Sequence, residues 1–316
     1  MSLPPLDPDA AAIAAATADV PPMRTRGIAA IRDALEAAPH PAGLPEMAQT
    51  EDREIPGPHG DIPVRIYRPV LDDPATVLVY FHGGGMCVGT IHSFEPVARS
   101  LADASRATVV SVGYRLAPEN PPPAQFDDAY TATQWVAEHA AELRVDPDRL
   151  AVVGDSAGGT LAAAVALAAR DRGGPAISCQ VLVYPGLDRD LGARSITQCA
   201  DAPILSRDDV MYLNEMADSG TGHPDSPYRI PAYATDLGGL PSAIVVTADC
   251  DPIRDWGERY ANRLREAGVL TTLTRYPGAY HGFLLQAAYL AKGWLAIADI
   301  GALLRARFRS TFLEAS

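Results

Sequence analysis

A series of strand-length apolar runs, each separated from the next by a helical pattern, constrains this chain more than any other feature. Thr76–Phe81 reads TVLVYF, and Thr108–Val112, Leu150–Val153, Cys179–Tyr184, Ala243–Thr247 and Thr271–Tyr276 have the same character. A strand that is apolar along its whole length must be covered on both faces, as strands of a largely parallel sheet are. Pro63–Arg68 instead alternates with period two. Helical spacing or strong helix formers occupy His92–Ser105, Asp127–Glu142, Ser156–Arg170, Ile253–Ala267 and Tyr289–Phe308, and Gly268 is placed to end the fourth of these. The alternation predicts an α/β fold with a mostly parallel central sheet and helices on both faces.

Two regions break the rhythm. Residues 1–45 have helical character, notably Met23–Ala38, before any strand appears, and Leu187–Asp225 carries a helical patch at Ser206–Ala217. Either segment has the length to cover the C-terminal edge of the sheet, and either also reads as an ordinary surface extension or irregular insertion. There is no internal repeat or low-complexity linker. With 316 residues and 47% hydrophobic content, one domain with one large core is expected.

The net charge of −13 argues against a nucleic-acid partner, since an acidic surface repels phosphate and no Lys/Arg run offsets it. Cys87, Cys179, Cys199 and Cys250 form no C-x-x-C pair and read as free thiols of a reducing compartment. Asp7 and Asp9 stand where a signal peptide needs basic residues, and the longest apolar helix candidate, Ala157–Ala169, is too short to span a bilayer. A cytoplasmic protein without a membrane span is expected.

Leu150–Thr160 reads LAVVGDSAGGT. An apolar strand runs into Gly154-Asp155-Ser156-Ala157-Gly158, and an Ala-rich helix former leads out. A G-x-S-x-G by itself arises by chance in a chain with 26 glycines. The strand–turn–helix setting makes it a nucleophile elbow, in which the residues two away from the serine must be small and the serine oxygen projects from the sheet edge at a helix N-terminus. Val77–Gly85, VLVYFHGGG, is a second strand running into a special loop. Glycines at 83, 84 and 85 let backbone N–H groups turn toward a ligand, and two of the three are expected to join the N–H of Ala157 in an oxyanion hole, with Gly84 and Gly85 favoured on register over Gly83. His82 is read as holding this loop through hydrogen bonds rather than as a base. A dinucleotide loop is excluded because the spacing is G-x-G-x-x-V at Gly83, Gly85 and Val88, and a phosphate-binding P-loop because Lys292 follows Ala291.

A serine nucleophile needs a base, and the base needs an acid to fix its tautomer. Of the 7 histidines, only His223 and His281 follow Ser156, the order that elbow serines require. His281 lies in RYPGAYHGF, just after a predicted strand, whereas His223 lies in the irregular region between Gly222 and Pro224. His281 is therefore the expected base. The acid should follow the strand Ala243–Thr247, where Asp249, Asp251 and Asp255 compete. Asp251 precedes Pro252 and would suit a helix N-cap equally well. Spacing leaves the three open, with Asp251 ahead.

Taken together, HGGG at 82–85, YRLAPE at 114–119, GDSAGG at 154–159, DPIRD at 251–255 and HGF at 281–283 resemble the bacterial hormone-sensitive-lipase-like esterases of the α/β-hydrolase superfamily. The resemblance implies an α/β-hydrolase fold with Ser156 as nucleophile, Asp251 as acid and His281 as base. It also implies a helical cap from about 1–45 and 187–225 over a core of about 46–186 and 226–316, and gives Tyr114–Glu119 a structural role. Met86-Cys87 and Trp256 depart from the family pattern and bear on pocket shape. The implied reaction is hydrolysis of small, short-acyl carboxylic esters, with no metal or organic cofactor and a small-molecule ester as the partner. The sequence leaves a homo-oligomer open. The same triad would serve an amide, carbamate or lactone, and the fold alone would also suit a non-catalytic small-molecule receptor.

Overall fold

The computed structural model describes residues 3–71, 75–218 and 226–314. In chain order the elements are α1 (Pro8–Ala16), α2 (Met23–Ala37), β1 (Gln49–Ile55), β2 (Ile62–Arg68), β3 (Ala75–Phe81), α3 (Glu95–Ser105), β4 (Thr108–Val112), α4 (Ala124–Glu138), β5 (Val145–Asp155), α5 (Ala157–Arg172), β6 (Cys179–Val183), α6 (Arg194–Gln198), α7 (Arg207–Asp218), β7 (Ser242–Cys250), α8 (Arg254–Glu266), β8 (Thr271–Tyr280) and α9 (Ala291–Glu314). Every apolar run is a strand of one eight-stranded sheet ordered β1-β2-β4-β3-β5-β6-β7-β8. The β1–β2 and β2–β4 pairs are antiparallel, and every pair from β4 to β8 is parallel.

Strand alternation divides the core in two. Val77, Val79 and Phe81 of β3 face a cluster built with α4, α5 and α8, while Leu78 and Tyr80 face one built with α3 and α9. Residues 157–169 of α5 are buried throughout, so alanine is what lets this helix lie close on the sheet. The strand order reverses between β3 and β5, with β4 on one side and β6 on the other. Open α/β sheets bind ligands at the C-terminal ends of the strands flanking such a reversal.

Residues 1–45 do not stay together. Helix α1 docks on β8 and the start of α9, where Asp7 N–H donates to Gly278 O at 3.0 Å and Asp9 Oδ2 accepts from Ala291 N–H at 2.8 Å. Helix α2 turns instead to α7: Arg24 pairs with Glu215 at 2.7 Å, and Ile28 and Ile31 join Val210, Tyr212 and Leu213 in a third apolar cluster. Arg32 then fastens α2 to the core, donating to Cys87 O at 2.7 Å, to Ala117 O at 2.8 Å and to both oxygens of Glu119. Tyr114–Glu119 is thus a brace, with Arg115 also held by both oxygens of buried Asp128. Among the described residues, no helix is long and apolar enough to cross a membrane.

Candidate active site

Ser156 stands between β5 and α5 at φ 52° and ψ −117°, backbone that side chains rarely adopt. Its neighbours explain the glycines. A Cβ on Gly154 would lie 2.1 Å from Gly158 O, and one on Gly158 would lie 1.9 Å from Phe81 O. The turn therefore closes only because β3, β5 and α5 meet backbone to backbone. Gly158→Ala is expected to cost roughly 3 kcal/mol or more and to lower the melting temperature by roughly 6 °C or more. Thermal unfolding checks this, and a variant melting within about 2 °C of the parent would contradict the close approach.

The three side chains expected to form a triad converge on the sheet edge. His281 Nε2 lies 2.8 Å from Ser156 Oγ, and its Nδ1 lies 2.8 Å from Asp251 Oδ2. Asp251 is wholly buried, and its other oxygen accepts from Ile253 N–H at 2.8 Å. The rival carboxylates point elsewhere. Asp249 Oδ1 lies 3.7 Å from Arg254 and 3.6 Å from Arg275, and Asp255 accepts from Ser195 N–H at 2.9 Å. His223 lies outside the described residues.

The loop after β3 separates its glycines. Gly83 turns its N–H inward to Asp155 Oδ1 at 3.1 Å, so the place offered to it in the oxyanion hole is not open to it. Gly84 and Gly85 take φ values of +114° and +61°, which only glycine adopts without strain. Among the described residues, the N–H groups of Gly84, Gly85 and Ala157 have no protein acceptor, and Gly85 and Ala157 border the same cavity as Ser156.

His82 is no base for this serine. Its Nδ1 meets Gly83 O at 2.7 Å, its ring stacks 4.3 Å from Tyr114, and Tyr114 OH donates to His82 O at 2.8 Å. Burial pushes its imidazole down to about 4. A base whose folded value is depressed favours the native state above its unfolded value, near 6.5, and loses that contribution as pH falls toward 4. The loss amounts to roughly 3 kcal/mol. His82→Gln is expected to flatten the fall in denaturant stability between about pH 6.5 and 4. An unchanged slope would contradict a buried neutral histidine.

Ser156 opens into a cavity of about 630 Å³. Met86, Leu161, Leu205, Val210, Leu213, Ile253 and Trp256 line its apolar part, and Gln125, Asp127, Arg172 and Arg189 its polar part. Two of the three departures from the family pattern, Met86 and Trp256, are therefore walls, and Trp256 is held by its indole N–H on Asp190 O at 3.0 Å. Cys87 is fully buried, with Sγ against Leu213 O. Leu213 lies directly on Gly85, where an added Cβ would meet its side chain at 2.9 Å. Arg189 and Arg229 both bind Asp218 at the end of α7, tying that helix to the cavity rim. Away from the cavity, His40, His92 and Glu95 have ligand atoms within 4.8 Å of one another, but both oxygens of Glu95 are already bound by Arg65 and Arg99.

Residues 78–285 match the family of the alpha/beta hydrolase fold, and the chain belongs to that family, in its hormone-sensitive-lipase-like esterase branch. It is 46% identical over 250 residues to the carboxylesterase NlhH of Mycobacterium tuberculosis, covering 77% of this chain and 78% of that one. The esterase LipI of the same organism is 41% identical over 263 residues, 82% of each chain. Among solved structures, an esterase of Pyrobaculum calidifontis superposes with a TM-score of 0.88 at 37% identity, covering 96% of this chain and 99% of that one.

Asp155 had no expected role, although it stands inside the nucleophile motif. Leu213 was equally hidden, because a lone leucine on a helix of an irregular segment says nothing about which loop it covers.

Proposed function

We propose that this protein hydrolyses small, short-acyl carboxylic esters through an acyl-enzyme on Ser156. The observation that carries the reading is the unbroken chain from Ser156 Oγ through His281 to buried Asp251, with 2.8 Å at each link. His281 takes the serine proton as Oγ attacks the ester carbonyl, and Asp251 holds the Nδ1 proton so that Nε2 faces the serine. The N–H groups of Gly84, Gly85 and Ala157 receive the oxyanion, each contributing roughly 3 kcal/mol. His281 then protonates the leaving alcohol, and water repeats the sequence on the acyl-enzyme. The relatives named as esterases support ester chemistry. Helices α2 and α7 act as the cap, with α7 lining the cavity and α2 packed on α7, and the limited cavity supports small substrates: pockets of roughly 300–1,000 Å³ suit drug-sized ligands rather than long lipids.

A fluorophosphonate probe should label one serine, Ser156 by peptide mapping, and abolish aryl-ester hydrolysis in proportion. Full activity after stoichiometric labelling of Ser156 would defeat the mechanism. Across aryl esters from acetyl to lauryl, kcat/KM should peak at or below about octanoyl. A maximum at longer chains would defeat the short-acyl assignment while leaving the triad intact.

A further inference from the structure

We propose that Asp155 is a positioning residue for the oxyanion hole: standing behind the nucleophile, it pins the Gly83 peptide so that Gly84 and Gly85 present their N–H groups to the reacting carbonyl. The inference rests on the acyl-transfer reading above. Asp155 is 4% exposed, and its Oδ1 accepts from Gly83 N–H at 3.1 Å and from Tyr80 OH at 2.7 Å. The loop lies flat against the carboxylate, since a Cβ on Gly83 would come within 2.5 Å of Oδ2. One side chain, adjacent in sequence to Ser156, thus couples the nucleophile strand to the glycine loop.

Peptide planarity carries this grip forward. Asp155 fixes the plane between His82 and Gly83 by its N–H. Nδ1 of His82 meets Gly83 O at 2.7 Å and fixes the next plane by its carbonyl. In a trans peptide C=O and N–H point in opposite directions, so a Gly83 carbonyl held toward His82 turns the N–H of Gly84 the other way. Two consecutive planes are thereby set before substrate arrives, which is the preorganisation an oxyanion hole requires.

The carboxylate is not there for stability. Burial raises its carboxyl to about 6, against the lowering effect of Tyr80, His281 and Gly83 N–H; Tyr114 and Tyr184 are the other titratable groups facing it. An acid whose folded value is raised favours the native state only while protonated. That contribution is present below its unfolded value near 4 and is lost as pH rises through about 6. At pH 8 the buried charge opposes folding.

Asp155→Asn separates the two effects. Loss of the charged acceptor should lower kcat about tenfold or more with KM within about twofold, and should weaken an alkylboronic acid, which forms a tetrahedral anion on the serine, by a similar factor. The melting temperature at pH 8 should equal or exceed that of the parent. An unchanged kcat overturns the proposal, and so does a joint fall in kcat, boronic-acid affinity and melting temperature, the pattern of a merely structural residue. Should the variant not fold, the Gly83 amide of the parent protein carries the test: as a buried donor to Asp155 it should be protected from hydrogen exchange, and exchange at the rate of a free amide overturns the proposal. A dead Ser156→Ala beside a fully active Asp155→Asn would sink this inference alone, whereas an active Ser156→Ala would sink the reading beneath it.

Discussion

Ser156→Ala is expected to lower kcat on an activated aryl ester by roughly 10⁶-fold while leaving the fold intact. The size follows from cooperation: without Oγ, His281 and Asp251 have nothing to activate, and only the oxyanion donors and binding remain. Stability should hardly change, because alanine inherits the same φ of 52° and loses only one hydroxyl at a half-buried position. Ser156→Gly makes the complementary point. A strained non-glycine residue costs about 1–3 kcal/mol, so glycine should raise the melting temperature by roughly 2–6 °C while being equally inactive. Burst kinetics and thermal unfolding measured on the same preparations check both statements. Residual kcat within about 100-fold of the parent would show that another group is the nucleophile.

The second large effect is at the acid. Asp251→Asn is expected to cost roughly 10⁴ in kcat with little loss of structure. The reason lies in a neighbour. Ile253 N–H donates to Oδ1 of Asp251 at 2.8 Å, so an asparagine amide would keep its oxygen there and turn its NH₂ toward His281 Nδ1. The imidazole would then accept at Nδ1 and carry its proton on Nε2, facing Ser156 with a donor where the reaction needs an acceptor. The loss should appear in kcat more than in KM, because substrate does not touch this carboxylate. Asp249→Asn and Asp255→Asn, which alter carboxylates bound to arginine and to a backbone amide, should leave kcat within about threefold. A loss at Asp249 equal to that at Asp251 would refute the assignment of the acid.

Strands β3 to β7 were legible because a strand covered on both faces must be apolar along its length, and no other fold class calls for so many such runs. β8 lies at the far edge of the sheet with most of its first seven residues partly or fully exposed, and its β-branched Thr271, Thr272 and Thr274 marked it instead. β1 was not legible: QTEDREI is polar, lies at the sheet edge with only its last residue buried, and is held by antiparallel pairing to β2. The five-residue α6 was missed as well, being too short to show a period.

Within the site, the same division holds. The elbow at Ser156 was legible in the sequence alone, because its demands are local and steric: small residues two away on either side, a strand before and a helix after. His281 was nearly so, by chain order and its place after a strand. The acid was different. Asp249, Asp251 and Asp255 share one strand end and one composition, and family resemblance favoured Asp251. Only the folded chain, bringing together residues 30 and 125 positions apart, displays which carboxylate meets the imidazole. Tertiary structure likewise decided that Gly83 turns to Asp155 while Gly84 and Gly85 stay open, and that α1 and α2 part company. Those outcomes depend on the direction of individual peptide planes and side chains, which contacts between distant segments set and local pattern does not encode.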